Sequence, residues 1–239
     1  HLQYVVENGA LLLNYLPEID MRTGKLLATE ALVRWDHPTR GPLPPAAFIG
    51  IAESINLAGE LGRWVLRTAC REFARWREDF LASKSGSDDA DDRDDFELRV
   101  NVSPVQLVTD GFAESVADIL DEFGLDRGSV CLEITENVVV QDSESSRATL
   151  ADLRRTGVRL AIDDFGTGYS VLSHLKSLPV DILKIDRSFV TDLGSNPGDL
   201  AIVRAIIALA DSFGLQIVAE GVETTAAATT LLRLGCHRA

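Results

Sequence analysis

The sequence has no apolar run approaching the roughly 20 residues of a membrane-spanning helix, and no N-terminal stretch resembles a secretory signal. Cysteine is scarce: Cys70, Cys131 and Cys236 lie far apart, are odd in number and form no C-x-x-C pair. These absences disfavour a disulfide framework. We therefore expect buried, reduced thiols and a cytoplasmic location for this domain.

Positive charge is also in short supply. The 23 lysines and arginines face 37 aspartates and glutamates, which gives a formal net charge of −14. Such a surface argues against a nucleic-acid polymer as partner and against adhesion to anionic membranes. It does not exclude a small anionic ligand, because a local site can oppose the overall sign.

The first 35 residues read as two strands. The segments "ALLLNYLPEID" and "KLLATEALVRW" flank a turn at Gly24, which predicts an antiparallel pair. Helix follows, with a break near Asn56–Gly59. Residues 83–95 are acidic and of low complexity, and we expect a solvated, mobile loop there. A calcium loop is disfavoured because the spacing and the closing Glu of an EF-hand are missing. We expect one domain over residues 1–239, since the pattern after this loop continues the pattern before it.

From residue 96 onward, strand-like and helix-like segments alternate, including one predicted helix over "PVQLVTDGFAESVADILDEFG" that ends at Gly124. Such alternation implies parallel strands with crossover helices, in a doubly wound sheet or a closed barrel. Polar residues near the C-terminal ends of five strand-like runs favour the barrel, whose strand ends converge on one face. An open sheet collects its ligands at one switch point. The five residues are Asn101, Glu133, Asp163, Lys184 and Glu220.

With Glu30 and Asp164, these residues would place five carboxylates, one amide and one amine in a small space. Unpaired carboxylates repel strongly in a low dielectric, and hard divalent cations relieve the repulsion. Oxygen ligands suit magnesium or manganese, and the absence of His and Cys from these strand ends speaks against zinc. The adjacent Asp163 and Asp164 could flank a metal pair about 3.5–4 Å apart.

Each of these residues also has a simpler interpretation. A single Glu in a strand usually faces solvent, and an isolated Asp-Asp pair is usually a turn. Their recurrence at equivalent strand ends favours a site. Lys184 could pair structurally with a carboxylate, form a Schiff base, or orient a metal-bound water. A Schiff-base lysine needs a lowered pKa, whereas a carboxylate cluster raises it, so the third role is favoured.

Six motifs in order now identify a resemblance: "EALVRW", "NVSPVQL", "LEITE", "DDFGTGYS", "LKIDRSFV" and "AEGVET". The chain closely resembles the EAL-domain family, the phosphodiesterases of the bacterial messenger cyclic di-GMP, from about residue 10 to Cys236. The resemblance implies an α/β TIM-like (β/α)8 barrel with an antiparallel first strand. It also implies hydrolysis of cyclic di-GMP to linear pGpG with two Mg²⁺ or Mn²⁺ ions, and inhibition by Ca²⁺ is expected.

The resemblance assigns roles to residues of this chain. Glu30, Asn101, Glu133 and Asp163 match the ligands of one metal, and Asp163, Asp164 and Glu220 match those of the second. Lys184 matches the lysine near the attacking water, so Lys184, Glu30 and Glu220 are the expected catalytic residues. Arg34 matches a substrate-phosphate contact, and Glu136 matches the glutamate that anchors the loop "DFGTGYS". A homodimer and an N-terminal sensory or GGDEF-type domain in the full protein are also implied.

The chain departs from the family pattern at its end. Family members usually continue after "LGC" into a last strand that carries a Gln, whereas this sequence stops at "LGCHRA". We expect the C-terminal strand and helix to be missing, the two flanking strands to border a gap, and the chain to be an excerpt of a longer protein. A non-catalytic cyclic di-GMP receptor and a protein-interaction module remain alternatives, although no metal ligand is substituted.

Overall fold

The computed structural model describes residues 11–83, 96–136, 144–167, 175–176 and 178–239. Its strands form a single curled sheet in the order β1-β2-β4-β5-β6-β7-β8, and β3 pairs with the outer part of β2. The strands are β1 Leu11–Ile19, β2 Leu26–His37, β3 Gly41–Leu43, β4 Glu97–Asn101, β5 Val130–Thr135, β6 Arg159–Phe165, β7 Ile182–Ile185 and β8 Gln216–Ala219. Pairing is antiparallel for β1–β2 and β2–β3 and parallel for the rest, which confirms the TIM-like barrel with an antiparallel first strand.

Helices surround the sheet and bury its outer face in one large apolar core. They are α1 Ile49–Ser54, α2 Ala58–Ser83, α3 Pro104–Leu107, α4 Phe112–Glu122, α5 Glu144–Thr156, α6 Arg187–Val190, α7 Pro197–Phe213 and α8 Thr225–Leu234, with short 3₁₀ turns at Pro45–Ala47 and Arg127–Ser129. Within the described ranges, none of these helices combines the length and hydropathy needed to cross a bilayer.

Helix α7 shows how local chemistry sets the element boundaries. The Asn196 side chain accepts a hydrogen bond from the Gly198 amide at 2.9 Å, and Pro197 occupies the first turn, where it has no amide hydrogen to leave unpaired. Gly214 ends the helix at φ 66°, a conformation that costs glycine little. The cap, the proline and the terminal glycine were all predicted from the sequence.

One predicted helix is wrong. The stretch from Pro104 to Gly124 forms α3 and α4 rather than one helix. Ser103 and Gln106 close a capping box on the short α3, and Gly111 at φ 74° separates it from α4. The break lets the chain turn at the end of β4 before α4 descends along the barrel wall. The predicted acidic loop at 83–95 lies outside the described residues, apart from the end of α2.

The interior of the barrel is layered, because alternate residues of each strand point inward. We call the C-terminal ends of the parallel strands the upper end and their N-terminal ends the lower end. Four small or aliphatic side chains form a buried apolar cluster, which we call the middle layer. They lie two residues before Glu133, Asp163, Lys184 and Glu220 along the chain. The members of the middle layer are Cys131, Ala161, Ile182 and Val218, each 0–3% exposed.

The expected gap between β8 and β1 is smaller than predicted. The last three residues enter it at the lower end and bond to both neighbours. The Ile19 amide donates to the Ala239 carbonyl at 2.7 Å, and the Ala219 amide donates to the Arg238 carbonyl at 3.0 Å. The backbone of Arg238 forms an antiparallel β-bridge with Asp20 and a parallel β-bridge with Val218. The prediction of an open gap is therefore corrected at the lower end, where these residues close the ring.

Candidate metal centre

The predicted ligands do converge at the upper end. Parallel pairing places Asn101 opposite Glu133 on adjacent strands, and Asp163 on the next strand two residues above the position opposite Glu133. Lys184 and Glu220 complete the arc on β7 and just beyond β8. The barrel thus gathers residues from six separate chain segments, as the recurrence at strand ends predicted.

Lys184 lies at the centre of this group. Its Nζ is 2.6 Å from Glu220 Oε1, 2.8 Å from Glu133 Oε2, 3.1 Å from Asp163 Oδ1 and 3.2 Å from Glu30 Oε2. The lysine side chain is only 3% exposed. Burial opposes its charge, but the four carboxylates outweigh burial and raise the pKa of Lys184 well above its ordinary value. The ammonium therefore stays charged and cannot act as an amine nucleophile.

The carboxylates form two groups of the right size for metal ions. Glu30, Glu133 and Asp163 offer oxygen atoms within 4.8 Å of one another, and so do Asp163, Asp164 and Glu220. Asp163 belongs to both groups. These are the carboxylates of the two ligand sets that the family resemblance implied.

One buried oxygen supports metal occupancy. Glu133 is fully buried, and among the described residues its Oε1 has no hydrogen-bond partner; Arg99 Nε lies 3.9 Å away. A buried carboxylate oxygen without a hydrogen bond is costly, and a divalent cation would satisfy it. Five carboxylates around one ammonium also leave excess negative charge that Mg²⁺ or Mn²⁺ would offset. The residues present fit two such ions.

The excess negative charge also raises the pKa values of carboxyl groups in the cluster. Burial and the repulsion of Glu30 and Asp163 raise the pKa of Glu133 to about 8, although Lys184 opposes the shift. Burial and Asp163 likewise raise the pKa of Glu220 to about 7 against the pull of Lys184. Without a metal, bound protons would therefore neutralise part of the negative charge of these carboxylates.

Asp164 explains how two consecutive aspartates can serve one site. Side chains of neighbouring strand residues normally point to opposite faces. Asp164 instead adopts φ 55°, a left-handed conformation uncommon outside glycine, and the β6–β7 register shifts between Ile162 and Phe165. This irregularity brings the carboxylates of both Asp163 and Asp164 into the second group. Such strain is typical of functional sites.

Asp186 is a site neighbour that the sequence reasoning missed. A hydrogen bond links its carboxyl group to that of Asp164, and burial together with Asp163 raises the pKa of Asp164 to about 6. Asp186 also caps α6 by accepting from the Ser188 amide at 2.9 Å. The sequence did contain a signal for it: Asp186 follows Lys184 by two residues, so strand alternation directs both side chains to the inner face.

The start of the glycine loop is anchored as the resemblance implied. The Gly166 amide donates to Glu136 Oε2 at 2.8 Å, and Glu136 is 3% exposed. Gly166 has φ 105°, and a Cβ there would come within 2.9 Å of the Phe189 ring. Only glycine fits this conformation and this close approach. Gly168 and the residues through 174 lie outside the described ranges.

Two other predicted residues lie near the carboxylate cluster, Asn101 beside it and Arg34 above it. Asn101 Nδ2 donates to Glu30 Oε1 at 2.7 Å, so Asn101 adjoins the first group of carboxylates and keeps its amide oxygen for a cation. Arg34 lies further along β2, four residues or about 13 Å above Glu30. Its Nη1 donates to the Val33 carbonyl at 2.9 Å, and it is half-buried. Arg34 therefore stands at the rim of the site.

Comparison with known proteins gives consistent findings. A family model described as EAL domain matches residues 1–239. An uncharacterized protein of Mycobacterium tuberculosis is 59% identical over 239 residues, which make up 100% of this chain and 37% of that protein. The crystal structure of the EAL domain of Mycobacterium smegmatis DcpA is 66% identical, with a TM-score of 0.80 over 96% of this chain and 89% of that chain.

MucR of Pseudomonas aeruginosa, named a bifunctional diguanylate cyclase/cyclic di-GMP phosphodiesterase, is 39% identical over 99% of this chain and 33% of that protein. The structure of its phosphodiesterase in complex with c-di-GMP has a TM-score of 0.89 over 99% of this chain and 91% of that chain. The chain spans about a third of the length of these curated relatives. The fold, the ordered strand-end residues and these matches agree that the chain belongs to the EAL-domain family.

Proposed function

We propose that this chain hydrolyses one 3′–5′ phosphodiester bond of cyclic di-GMP and releases linear pGpG. The observation that carries the proposal is the pair of carboxylate groups that share Asp163 around a buried, charged Lys184. The name of MucR and its complex with c-di-GMP supply the substrate class. No expected ligand position is substituted, which favours an enzyme over a receptor.

The chain's own residues would hold two divalent ions. Glu30, Asn101, Glu133 and Asp163 would hold the first, and Asp163, Asp164 and Glu220 the second. When bound, Mg²⁺ or Mn²⁺ would activate a water molecule and offset the negative charge of the phosphate. Ca²⁺ prefers longer bonds and looser geometry, so we expect it to bind and to inhibit.

Lys184 has a donor's role in this proposal. Because four carboxylates hold its ammonium charged in the metal-free chain, it can donate a hydrogen bond to an attacking water. Arg34 at the rim would contact a phosphate of the substrate, since a guanidinium matches phosphate oxygens in geometry and charge. Glu136 would hold the loop start at Gly166, beside the second carboxylate group.

We also propose that the functional unit is larger than this domain. The curated relatives are about three times as long as the matched region, and the MucR name combines cyclase and phosphodiesterase activities. An N-terminal sensory or GGDEF-type domain and a homodimer would suit such an arrangement.

The decisive experiment incubates the purified chain with cyclic di-GMP and Mg²⁺ and separates the products by chromatography. We expect pGpG to form, excess EDTA to abolish its formation, and added Mg²⁺ or Mn²⁺ to restore it. The Glu133→Gln variant should be inactive, and Glu122→Gln on the outer surface of α4 is the matched control. Tight binding of cyclic di-GMP without any product would identify a receptor and refute the proposal.

A further inference from the structure

The lower end of the barrel contains a second polar pocket, of about 620 Å³. That volume lies within the range of ordinary small-molecule sites. Arg159 and Gln216 form part of its wall, Glu97 lies deeper, and His237 and Arg238 border it at the ring closure. None of these residues has a role in the proposed phosphodiesterase reaction.

Positive charge is in excess around this pocket. Three arginines that line it, Arg22, Arg159 and Arg238, outnumber the two lining carboxylates, Asp20 and Glu97. Glu18 accepts from Arg99 Nε at 2.5 Å and from Arg238 Nε at 2.5 Å. Arg159 Nη1 donates to Glu97 Oε1 at 2.6 Å. Asp20 is paired with Arg22. The lining thus carries one more positive than negative charge, in a chain whose net charge is −14, while Arg99 behind it contacts both Glu18 and Glu133.

Several buried polar atoms at this end have no hydrogen-bond partner within the described part of the chain. They are Arg99 Nη1, Arg238 Nη2, His237 Nδ1 and Glu97 Oε2. Glu97 lines the pocket and is only 7% exposed. Buried polar atoms are normally satisfied, so such a concentration points to a ligand. Glu97 Oε2 has only a long ion-pair contact, 3.7 Å from Arg99 Nη2, and Arg238 Nη2 lies 3.7 Å from Glu97 Oε1, so a donor for the first atom and an acceptor for the second would complete their bonding.

We propose that this lower pocket binds a small oxyanion that carries a hydroxyl group, namely phosphate or a phosphomonoester. The anionic oxygens would accept from Arg238 and from the imidazole of His237, and the hydroxyl would donate to Glu97. Arginine suits the oxygens of a phosphate because its planar donors match their geometry. The ligand would offset the excess positive charge of the lining.

This site is separate from the metal centre. The middle layer of Cys131, Ala161, Ile182 and Val218 lies between the two ends and is closed to solvent. An anion in the lower pocket therefore reaches the upper carboxylates only through Arg99, whose Nε is 3.9 Å from Glu133 Oε1. The proposal stands whether or not the chain hydrolyses cyclic di-GMP.

Inorganic phosphate is the probe, titrated by calorimetry into the chain in excess EDTA at about pH 6, where phosphate keeps a proton. Without metals, the upper carboxylates repel the anion. We expect one saturable site per chain, and thermal stabilisation that matched chloride does not reproduce. The His237→Ala variant, which removes an unpartnered nitrogen and breaks no described side-chain bond, should weaken binding several-fold. Arg238→Gln should weaken it by about tenfold or more, the effect of losing a charged hydrogen bond.

Arg155→Gln, on the exposed face of α5, is the matched control and should bind as the parent does. Circular dichroism checks that each variant folds, and if Arg238→Gln unfolds, the affinity of His237→Ala decides the test. Linear, non-saturating heats would overturn the proposal. So would equal losses in the control, or saturable binding that His237→Ala and every folded Arg238 variant leave unchanged.

Discussion

The two ends of the barrel are built from similar residues but balance charge in opposite ways. At the upper end, five carboxylates surround one ammonium, that of Lys184. At the lower end, the guanidiniums of Arg99, Arg159 and Arg238 pair with Glu18 and Glu97, and Arg99 and Glu18 are almost fully buried in direct contact. The small middle layer lies between the two groups, which meet where Arg99 Nε approaches Glu133 Oε1 at 3.9 Å.

This difference in charge balance means that the upper end requires positive charge from outside the chain. The lower end finds most of its opposite charges within the chain. Like charges in a low dielectric are tolerated only when something compensates them. The upper end lacks several positive charges and therefore depends on cations and protons. The lower end pairs its arginines with glutamates of the chain itself, and these ion pairs connect β1, β4 and the final residues, where the ring closes. Substitutions at the two ends should therefore respond differently to metal.

The largest effect is expected at Lys184. In Lys184→Met the four carboxylates lose their shared cation, so the metal-free chain should be destabilised by about 3–5 kcal/mol. Turnover with Mg²⁺ should fall on the order of 10³-fold, because a charged donor is lost where the reaction needs one. Denaturant unfolding with and without Mg²⁺ and a pGpG assay measure the two effects.

Mg²⁺ should recover most of the lost stability of this variant, since two divalent ions can replace the ammonium. Lys176→Met, which changes an exposed lysine, is the control. Parental turnover in Lys184→Met would contradict the proposed role, and so would parental stability without metal.

Arg99→Met tests the lower end. Arg99 is 1% exposed, and its loss leaves the Glu18 carboxylate with Arg238 alone. We expect a destabilisation of about 3–5 kcal/mol, the range measured when one partner of a buried ion pair is removed. Mg²⁺ should recover a smaller part of the loss than in Lys184→Met, because Arg99 contacts one upper carboxylate, Glu133, at 3.9 Å, whereas Lys184 contacts four. Equal recovery by Mg²⁺ in the two variants would contradict this difference between the two ends.

The upper site could be predicted because its residues repeat one simple pattern. Each follows an apolar strand-like run, and parallel strands bring such positions to one face. The lower network could not be predicted in this way, because Glu18 and Arg99 are 81 residues apart and meet only when the barrel curls. The inward alternation of Glu97, Arg99 and Asn101 was a visible signal, but a strand with alternating polar residues usually faces solvent.

The other misses have local causes. The helix pattern after Pro104 continues through the Asp110-Gly111 turn, since apolar spacing is kept while the backbone turns at φ 74°. The pairing of His237–Ala239 with both β1 and β8 depends on backbone hydrogen bonds, which no side-chain pattern records. Asp164 looked like an ordinary partner of Asp163, and its left-handed conformation became evident only from the backbone angles.

The pH dependence of the metal-free chain should also reflect the upper end. Glu133 and Glu220 have pKa values of about 8 and 7 in the folded chain, against an ordinary value of 4.5. The folded state therefore binds more protons than the unfolded state between these limits, so stability should fall as pH rises from about 4.5 to 8. Metal binding should displace these protons.

Thermal unfolding in EDTA from pH 5 to 8 measures the first effect, and calorimetry of Mg²⁺ binding in buffers of different ionisation enthalpy measures the second. In Glu133→Gln, the fall in stability with pH should be smaller. A melting temperature that rises across this window, or Mg²⁺ binding without proton release near neutral pH, would contradict the proposed electrostatics.

The smallest effect is expected from an ion pair outside the barrel. Arg67 on α2 forms a bidentate pair with Glu122 on α4, and both side chains are at least 41% exposed. Water already screens these charges, so Arg67→Met should cost only about 0–1 kcal/mol, including the loss of the guanidinium over the Phe123 ring.

Arg67→Met and Arg99→Met remove the same charge and differ in burial. Unfolding in urea, repeated in high salt, compares them directly. Salt should reduce the Arg67 effect further and leave the Arg99 effect almost unchanged, because buried charges are poorly screened. Equal losses in the two variants would mean that burial does not distinguish the interior of the barrel from its surface.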